Sequence, residues 1–152
     1  MYHPLHKSMA FLRLGGARAY PPPVLCIVQT DGSFKHWSGS AAVAARMTKT
    51  NEVLVEQVHS IYNVESSTEA EWASVYFGLQ VATQSKEYSV GVENDNLSVI
   101  QHLLFGFKHK PRDYARYYNY KIHETVKDMD WCGIRWIPRE RNQADSLFKR
   151  LA

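Results

Sequence analysis

Apolar residues follow two spacings along the chain, and these predict five strands and four helices. In five segments the apolar residues are continuous or alternate with polar ones, as in strands. These segments are VLCIVQT (24–30), GSAAVAARM (39–47), VLVEQVHSIY (53–62), YSVGVEN (88–94) and WCGIRWI (131–137). A spacing of three to four residues, typical of helices, covers 67–85, 96–106, 113–129 and the segment that Asn142 caps. Short turns join the first three strands, which should form an antiparallel meander. A meander followed by alternating helices and strands predicts an α/β fold, a mixed sheet flanked by helices.

The first 23 residues are expected to lie outside this domain. Pro21, Pro22 and Pro23 form a stiff extended segment, so residues 1–23 are predicted to be a flexible basic tail with a proline-rich linker. Residues 24–152 are predicted to form one domain, long enough to bury a core without metal or disulfide staples. The tail contains basic residues and no acid, as organellar transit peptides do. Import into an organelle is therefore an alternative to a plain tail or leader.

The charge of the chain is divided unevenly between its parts. The whole sequence carries +3, and the tail accounts for all of it. Residues 24–107 contain 4 basic and 9 acidic side chains, a balance of −5, and residues 108–152 contain 11 and 6, a balance of +5. An acidic half beside a basic half is typical of a carboxylate site next to a polyanion-binding surface, although two solvated faces would give the same counts.

The sequence shows no sign of a membrane span or of a disulfide framework. Cys26 and Cys132 lack metal-ligand spacing and are predicted to be reduced thiols in the core. This predicts a cytoplasmic location or another reducing compartment. No apolar run approaches the ~20 residues that a membrane helix needs, and no membrane partner is expected.

Four acids stand at the ends of predicted elements, and each has an ordinary structural explanation. Asp31 follows the first strand as an Asp-Gly turn would, and Glu71 could close a capping box with Thr68. Asp95 could cap the helix that follows the fourth strand. Asp145 lies near the start of the last helix, where an acid is favourable. Taken singly, none of the four indicates a functional site.

Taken together, the four acids indicate a metal site. A helix crossover joins the first and fourth strands, which should be parallel neighbours, so Asp31 and Asp95 should emerge at one sheet edge. Glu71 lies on the sheet-facing side of its helix, and Asp145 reaches the same end after the fifth strand. Carboxylates this close repel one another unless cations lie between them. The set predicts Mg²⁺ or Mn²⁺, and a pair of such ions is suited to phosphodiester cleavage.

The sequence resembles type 1 ribonuclease H, and more closely its reverse-transcriptase-like relatives from plants and retroelements. The matching segments are TDGSF (30–34), SSTEAEWASVYFGLQVA (66–82), VENDN (92–96) and IPRERNQADSLFKRLA (137–152), in the family's order over about residues 24–152. The resemblance implies a five-stranded ribonuclease H-like mixed sheet in the order 3-2-1-4-5, with strand 2 antiparallel. In that order Cys26 and Cys132 lie on separated strands and should not pair.

The resemblance also implies a chemistry. It is metal-dependent endonucleolytic hydrolysis of the RNA strand of an RNA/DNA hybrid, which leaves 3′-hydroxyl and 5′-phosphate ends. The family's metal-binding and catalytic carboxylates fall on Asp31, Glu71, Asp95 and Asp145, which would hold two Mg²⁺ ions, with Mn²⁺ as the alternative. Asp31 is expected to bridge the ions, with Glu71 and Asp95 on one and Asp145 on the other. The expected partner is the hybrid, with no small-molecule cofactor and a monomeric chain.

Three departures from the family pattern concern substrate contacts and proton transfer. Ser66, Ser67 and Thr68 stand where many relatives have Thr-Asn-Asn before the catalytic Glu; hydroxyls can still bond the 2′-hydroxyl of RNA. Asn96 and Leu97 replace the usual Ser or Gln after the third acid. The loop before the last helix lacks the His of some bacterial relatives, and we therefore expect a slower enzyme.

The segment FGFKHKPRDYARYYNYK (105–121) mixes aromatic and basic residues. One interpretation is an amphipathic helix that packs Tyr114, Tyr117, Tyr118 and Ile122 and leaves its cations in solvent. The other is a hybrid-binding surface whose cations follow phosphates. With the positions above, the predicted nucleic-acid contacts are Ser33, Ser67, Thr68, Asn96, Lys108, Lys110, Arg112, Arg116, Arg139 and Arg141.

Two alternatives to ribonuclease H activity stay open at this stage. One is another nuclease of the same fold, a junction resolvase or an exonuclease. Exonucleases of this superfamily usually show Asp-X-Glu on the first strand, where Ser33 replaces the Glu. The other is a catalytically idle hybrid-binding module, although inactive relatives tend to lose an acid and all four are present here.

Overall fold

The computed structural model describes residues 10–151, and residues 1–9 of the predicted tail lie outside this part. The strands are β1 (Leu12–Gly15), β2 (Cys26–Lys35), β3 (Ser40–Lys49), β4 (Glu52–Tyr62), β5 (Ser89–Asn94) and β6 (Trp131–Trp136). The helices are α1 (Ser67–Gln84), α2 (Leu97–Phe105), α3 (Asp113–Lys127) and α4 (Leu147–Arg150), with a 3₁₀ turn at Arg139–Arg141. Over the described range, no helix combines the length and the apolar character needed to cross a bilayer.

One six-stranded mixed sheet organises the domain, in the order β1-β6-β5-β2-β3-β4. The five predicted strands lie in their predicted order, with β3 antiparallel to β2 and with β5 parallel to both β2 and β6. Helix α1 packs on β2 and β3 and against α3, whereas α4 packs on β3 and β4 through Ala44, Ala144 and Leu147. The predicted α/β fold, a mixed sheet flanked by helices, is confirmed.

The predicted domain start at Val24 must be corrected, because part of the amino-terminal segment belongs to the sheet. β1 pairs antiparallel with β6 and adds a sixth strand beside the five that were predicted. The Phe11 ring lies so close to Gly91 that an added Cβ there would meet the ring at 2.6 Å. The sequence pattern did not predict this strand because it is only four residues long and is interrupted by the exposed Arg13.

Two glycines allow α1 to lie very close to β2. An added Cβ on Gly78 would meet the Thr30 side chain at 2.3 Å, and one on Gly32 would meet the Ala70 carbonyl oxygen at 2.4 Å. No larger residue fits at either position without moving the helix. The close approach brings the first turn of α1 over the middle of β2.

Two element boundaries near the predicted acids differ from expectation. β2 does not end at Asp31: it pairs with β3 as far as Lys35, whereas its parallel pairing with β5 stops at Gln29. The last helix does not start at Asn142, because residues 143–146 form turns. The Asn142 side chain donates to the Thr30 carbonyl at 2.9 Å and accepts from the Ala144 N–H at 3.2 Å, which bends the chain away from a helical path.

The two cysteines have the state that the sequence predicts. Cys26 and Cys132 are buried free thiols on β2 and β6, which β5 separates. Burial raises the pKa of each thiol to about 12. Both therefore stay protonated and act as small apolar core residues.

Candidate metal centre

Asp31 and Glu71 meet at the closest contact between β2 and α1. The Gly32 N–H donates to Glu71 Oε1 at 3.1 Å and lies 3.0 Å from Asp31 Oδ1. This shared donor requires the α1 backbone to approach β2 as closely as the missing Cβ of Gly32 permits. Asp31 is 7% exposed, in the interior of a strand rather than in the Asp-Gly turn that is its ordinary explanation.

Glu71 is not part of the cap of α1. Ser66 caps this helix by accepting from the Glu69 N–H at 3.1 Å, and the Glu69 carboxylate accepts from the Glu65 N–H at 3.0 Å. The capping role is thus filled by the acid two residues earlier. The Glu71 carboxylate turns instead toward the sheet.

Asp95 completes a cluster of three acids. It follows the last residue of β5, and its neighbour Asn96 caps α2 by accepting from the Val99 N–H at 3.0 Å. Asp95 is therefore not the helix cap that its position suggests. One carboxylate oxygen each from Asp31, Glu71 and Asp95 lies within 4.8 Å of the other two.

Asp145 lies beside this cluster but outside the set of three. It is exposed, on the turn that precedes α4. Its side chain contributes, after burial and the nearer acids, to raising the pKa of Asp31, and its negative charge acts in the same direction on Asp95. The structure thus brings three of the four predicted acids together and places the fourth at the solvent side.

In the absence of a cation, the pKa values of all three clustered acids are raised. Burial, followed by the negative charges of Glu71 and Asp95, raises the pKa of Asp31 well above its usual range. Burial and the charge of Asp95 raise the pKa of Glu71 in the same way. Burial also raises the pKa of Asp95, against the opposing effects of the Asn142 hydrogen bond and the Arg139 charge. The causes are the same throughout: desolvation and like charges at short range.

The donor set fits a divalent cation. Glu71 Oε2 is buried and finds no hydrogen-bond partner among the described residues. A buried carboxylate oxygen without a donor is costly, and a cation satisfies it. Carboxylate oxygens are the ligands that Mg²⁺ and Mn²⁺ prefer. Asp31, Glu71 and Asp95 would hold such an ion.

A pair of buried asparagines next to the acids was not predicted as part of the site. The Asn94 amide donates to the carbonyl and the hydroxyl of Thr30 at 3.1 and 2.9 Å. The Asn142 amide donates to the same carbonyl at 2.9 Å and to Asp95 Oδ2 at 3.3 Å. Thr30 and Asn94 are polar residues at the ends of otherwise apolar runs, directly before an acid, and this was the available signal.

A second feature is a basic groove of about 580 Å³, which none of the clustered acids lines. It lies between the first turns of α1 and α2 and the loop 106–112, and its lining includes Thr68, Ser98 and three exposed cations, Lys108, Lys110 and Arg112. Thr68 is one turn before Glu71 on α1, and Ser98 is three residues after Asp95. The groove is therefore lined by residues close in sequence to two of the acids and by cations of the basic part of the chain.

Segment 105–121 runs from the end of α2 through a loop into α3. Residues 113–121 lie in α3, where Ile122 is buried and Tyr114 and Tyr118 pack against the core, whereas Tyr117 is 54% exposed. Lys108, Lys110, Arg112 and Arg116 are exposed, whereas Lys121 is half-buried. The first half of the segment forms the loop that lines the basic groove.

The other predicted nucleic-acid contacts lie at differing distances from the acids along the chain. Ser67 is exposed in the first turn of α1, and Ser33 is half-buried in β2. The side-chain oxygen of Asn96 is used by the α2 cap. Three exposed cations belong to this set: Arg116 on α3, and Arg139 and Arg141 on the 3₁₀ turn. The Arg116 Nη2 lies 3.7 Å from Asp113 Oδ1.

Comparison with known proteins relates the chain to one family. The family model described as reverse transcriptase-like matches residues 29–150. This range contains all four predicted acids. No curated protein matches the chain.

Solved structures of ribonuclease H share the fold. RNase H1 from the halophilic archaeon Halobacterium salinarum superposes with a TM-score of 0.74 at 20% identity, covering 80% of this chain and 92% of that one. The N-terminal RNase H domain of a Mycobacterium tuberculosis protein, solved as a fusion with maltose-binding protein, gives 0.70 at 19%, covering 85% and 99%. LC11-RNase H1 in complex with an RNA/DNA hybrid gives 0.66 at 20%, covering 84% and 99%. The fold is ribonuclease H-like, with the additional edge strand β1.

Proposed function

Because the chain belongs to the reverse transcriptase-like family, we propose that it is a metal-dependent endoribonuclease that hydrolyses the RNA strand of RNA/DNA hybrids. The observation that carries this proposal is the cluster of Asp31, Glu71 and Asp95 on a ribonuclease H-like fold that also has a basic groove. A cationic groove attracts a polyanion. Clustered carboxylates can hold the cations that phosphodiester cleavage uses. The products would carry 3′-hydroxyl and 5′-phosphate ends.

In this proposal the acids hold the cations. Asp31, Glu71 and Asp95 would hold one Mg²⁺, and Asp31 and Asp145 would hold a second, with Mn²⁺ as an alternative. The ions supply electrostatic stabilisation for the charged oxygens of the phosphodiester. Since burial and like charges raise the pKa of Asp31 and Glu71, these carboxyls release protons when cations bind.

Side chains of the groove would hold the hybrid. Lys108, Lys110 and Arg112 are exposed along one wall and would follow phosphates. Thr68, which lines the groove, and the neighbouring Ser67 carry hydroxyls that can bond the 2′-hydroxyls that distinguish RNA from DNA. We include Ser33, Asn96, Arg116, Arg139 and Arg141 as further contacts on the surface around the acids.

A substrate panel tests the proposal. Purified protein is incubated with labelled RNA/DNA hybrid, duplex RNA, duplex DNA and a four-way junction, each with Mg²⁺, with Mn²⁺ and with EDTA. We expect internal cleavage of the RNA strand of the hybrid alone, only with a divalent ion. Preferential cleavage of the junction, or stepwise removal of nucleotides from an end, would instead identify another nuclease of this fold. Tight hybrid binding without cleavage in either metal would identify an idle binding module.

Asp31→Asn tests the assignment of the metal centre. We expect cleavage to fall at least about a hundredfold, because loss of the central carboxylate weakens the charge stabilisation that the ions supply. Glu69→Gln is the matched control, since Glu69 is an acid of the same helical turn as Glu71 that contacts only the cap, and it should retain activity. Full Mg²⁺-dependent cleavage by Asp31→Asn would contradict the assignment.

A further inference from the structure

Gln29 makes a group of contacts that the proposed metal centre does not explain. It lies at the last pair of the parallel β2–β5 ladder, opposite Glu93. Its amide nitrogen donates to Glu93 Oε1 at 2.9 Å and to the Arg141 carbonyl at 3.2 Å, and its amide oxygen accepts from the Gln143 N–H at 3.0 Å. The two backbone contacts lie on either side of Asn142. One side chain of the sheet thus holds both flanks of this residue.

The segment that Gln29 holds carries the fourth acid. Residues 142–146 lie outside regular helix and strand, and Asp145 lies three residues after Asn142. The Asn142 side chain is fixed in turn to the Thr30 carbonyl and to Asp95. Because the segment has no ladder of its own, its position over the sheet depends on side-chain contacts of this kind.

Gln29 is itself held in place by a buried ion pair. Glu93 is 6% exposed, and its second carboxylate oxygen accepts from Arg135 Nε and Nη2 at 2.8 and 2.5 Å. A carboxylate that accepts from a guanidinium through one oxygen has the other oriented toward its remaining partner. That partner is the Gln29 amide. Gln29, Glu93 and Arg135 therefore form one row across three adjacent strands.

The row ends at the amino-terminal segment. The Arg135 guanidinium lies over the Phe11 ring at 4.1 Å from its centroid, a cation–π contact. The ring rests on Gly91 of β5, where an added Cβ would meet it at 2.6 Å, and the Phe11 Cβ lies 3.0 Å from the position of an added Cβ at Gly133 of β6. Contacts thus continue without a break from Phe11 beside β1 to the segment before α4.

We propose that Gln29 is a positioning residue that fixes the segment carrying Asp145, oriented for this purpose by Glu93, Arg135 and Phe11. The inference rests on the proposed function, because it gives Asp145 a place in the metal centre. It adds that Phe11, beside the edge strand β1, supports the site through this row of contacts. Gln29 touches none of the clustered acids directly in the contacts described above and acts through the backbone of residues 141 and 143.

The substitution Gln29→Met tests the proposal. Methionine keeps the length of the side chain and removes both backbone contacts. We expect hydrogen exchange at the Gln143 and Asp145 amides of the metal-free protein to accelerate at least about tenfold, because the segment loses its anchor. For hybrid cleavage we expect kcat to fall about tenfold with KM within about twofold, since partners of metal ligands affect the chemistry more than substrate binding. Mn²⁺ affinity, from titration without substrate, should fall in parallel.

A second variant and a control separate positioning from general destabilisation. Phe11→Ala removes the far end of the row, and we expect exchange at Gln143 and kcat to change in the same direction but less. Gln84→Met makes the same chemical change at an exposed position at the end of α1 and should alter none of these quantities. All assays are run well below the unfolding midpoint of each variant, so that a loss of fold does not imitate the effect.

The outcomes distinguish this inference from the proposed function. Unchanged exchange at Gln143 and Asp145 in Gln29→Met would overturn the positioning role, whatever happens to activity. A raised KM with unchanged kcat would also overturn it, because Gln29 would then act on the hybrid. If the wild-type protein cleaves no hybrid, the proposed function fails. Amide hydrogen exchange and Mn²⁺ affinity, which need no activity, still decide the role of Gln29.

Discussion

The raised pKa values of the clustered acids couple the stability of the fold to pH and to metal. In the unfolded chain, carboxyls of this kind titrate near 4. In the metal-free fold, burial and like charges raise the pKa of Asp31 and Glu71, and burial raises that of Asp95. Between the unfolded and folded values the native state binds more protons than the unfolded state. The contribution of these groups to the free energy of unfolding therefore decreases as pH rises through that window.

This linkage gives a prediction for the Tm of the protein. Without metal, we expect Tm to fall from about pH 5 to about pH 8 more steeply in the wild type than in Asp31→Asn, which removes one of the coupled charges. Mg²⁺ should raise the wild-type Tm more at pH 8 than at pH 5, because ligands must be deprotonated to bind it. Calorimetry with EDTA and with Mg²⁺ measures both effects. Equal pH dependence of the two proteins would show that the acids do not repel one another in the fold.

The four acids could be predicted from the sequence, but the residues that position them could not. Asp31, Glu71, Asp95 and Asp145 stand in recognisable local contexts within 30–34, 66–82, 92–96 and 137–152. Gln29 has no such signal, because its role depends on which residue lies opposite it in a parallel ladder and on where a distant turn returns. Pair partners across strands are set by register, which a single apolar run does not encode.

Among the secondary-structure elements, β1 is the one that changes the definition of the domain. Leu12 and Leu14 pack against the main core, and the Arg13 guanidinium bonds the Gly16 and Arg18 carbonyls at 2.7 and 3.1 Å, which holds the turn after the strand. The Ala17 and Arg18 amides continue the pairing to Met129 and Asp130. The long apolar runs could be predicted as strands because their own composition specifies them. β1 could not, because most of its stability comes from the edge of β6 that it covers.

Deletion of residues 1–23 is predicted to destabilise the domain. Removal of three partly buried apolar side chains and of the edge ladder should lower the free energy of unfolding by about 3 kcal/mol or more, at roughly 1 kcal/mol for each half-buried large side chain plus lost hydrogen bonds. Urea unfolding of the full chain and the deletion variant measures this difference. Tyr20→Ala serves as the control, since Tyr20 is 80% exposed and its loss should change stability little. Equal stability of the full and shortened chains would show that the domain begins at Val24, as the sequence predicted.

For the molecule as a whole, the division of charge matters more than the total of +3. The acidic part of the chain supplies Asp31, Glu71 and Asp95, whose carboxylates converge, and the basic part supplies the loop 106–112 that lines the neighbouring groove. Two divalent cations would neutralise the four proposed ligands and leave this surface more positive than the sequence suggests. The sequence could predict the sign of each part, whereas only the fold shows that the two parts share one groove.

The basic groove predicts how hybrid binding depends on salt. Each phosphate contact by a lysine or arginine releases bound counterions, which steepens the fall of affinity with salt concentration. Replacing Lys108, Lys110 and Arg112 together with alanine should therefore weaken hybrid binding and reduce the slope of log affinity against log salt by about 2 to 3. Cleavage should show a raised KM with little change in kcat, because the cations act on binding and lie apart from the acids.

Lys127→Ala is the matched control for this change. Lys127 is an exposed cation at the far end of α3, about 20 Å along the helix from the loop at a rise of 1.5 Å per residue. Its loss lowers the net charge of the protein without touching the groove, and it should leave the salt slope nearly unchanged. If Lys127→Ala reduced the slope as much per charge as the loop variant does, affinity would depend on the total charge of the molecule. A reduction confined to the loop variant would instead assign the phosphate contacts to the groove.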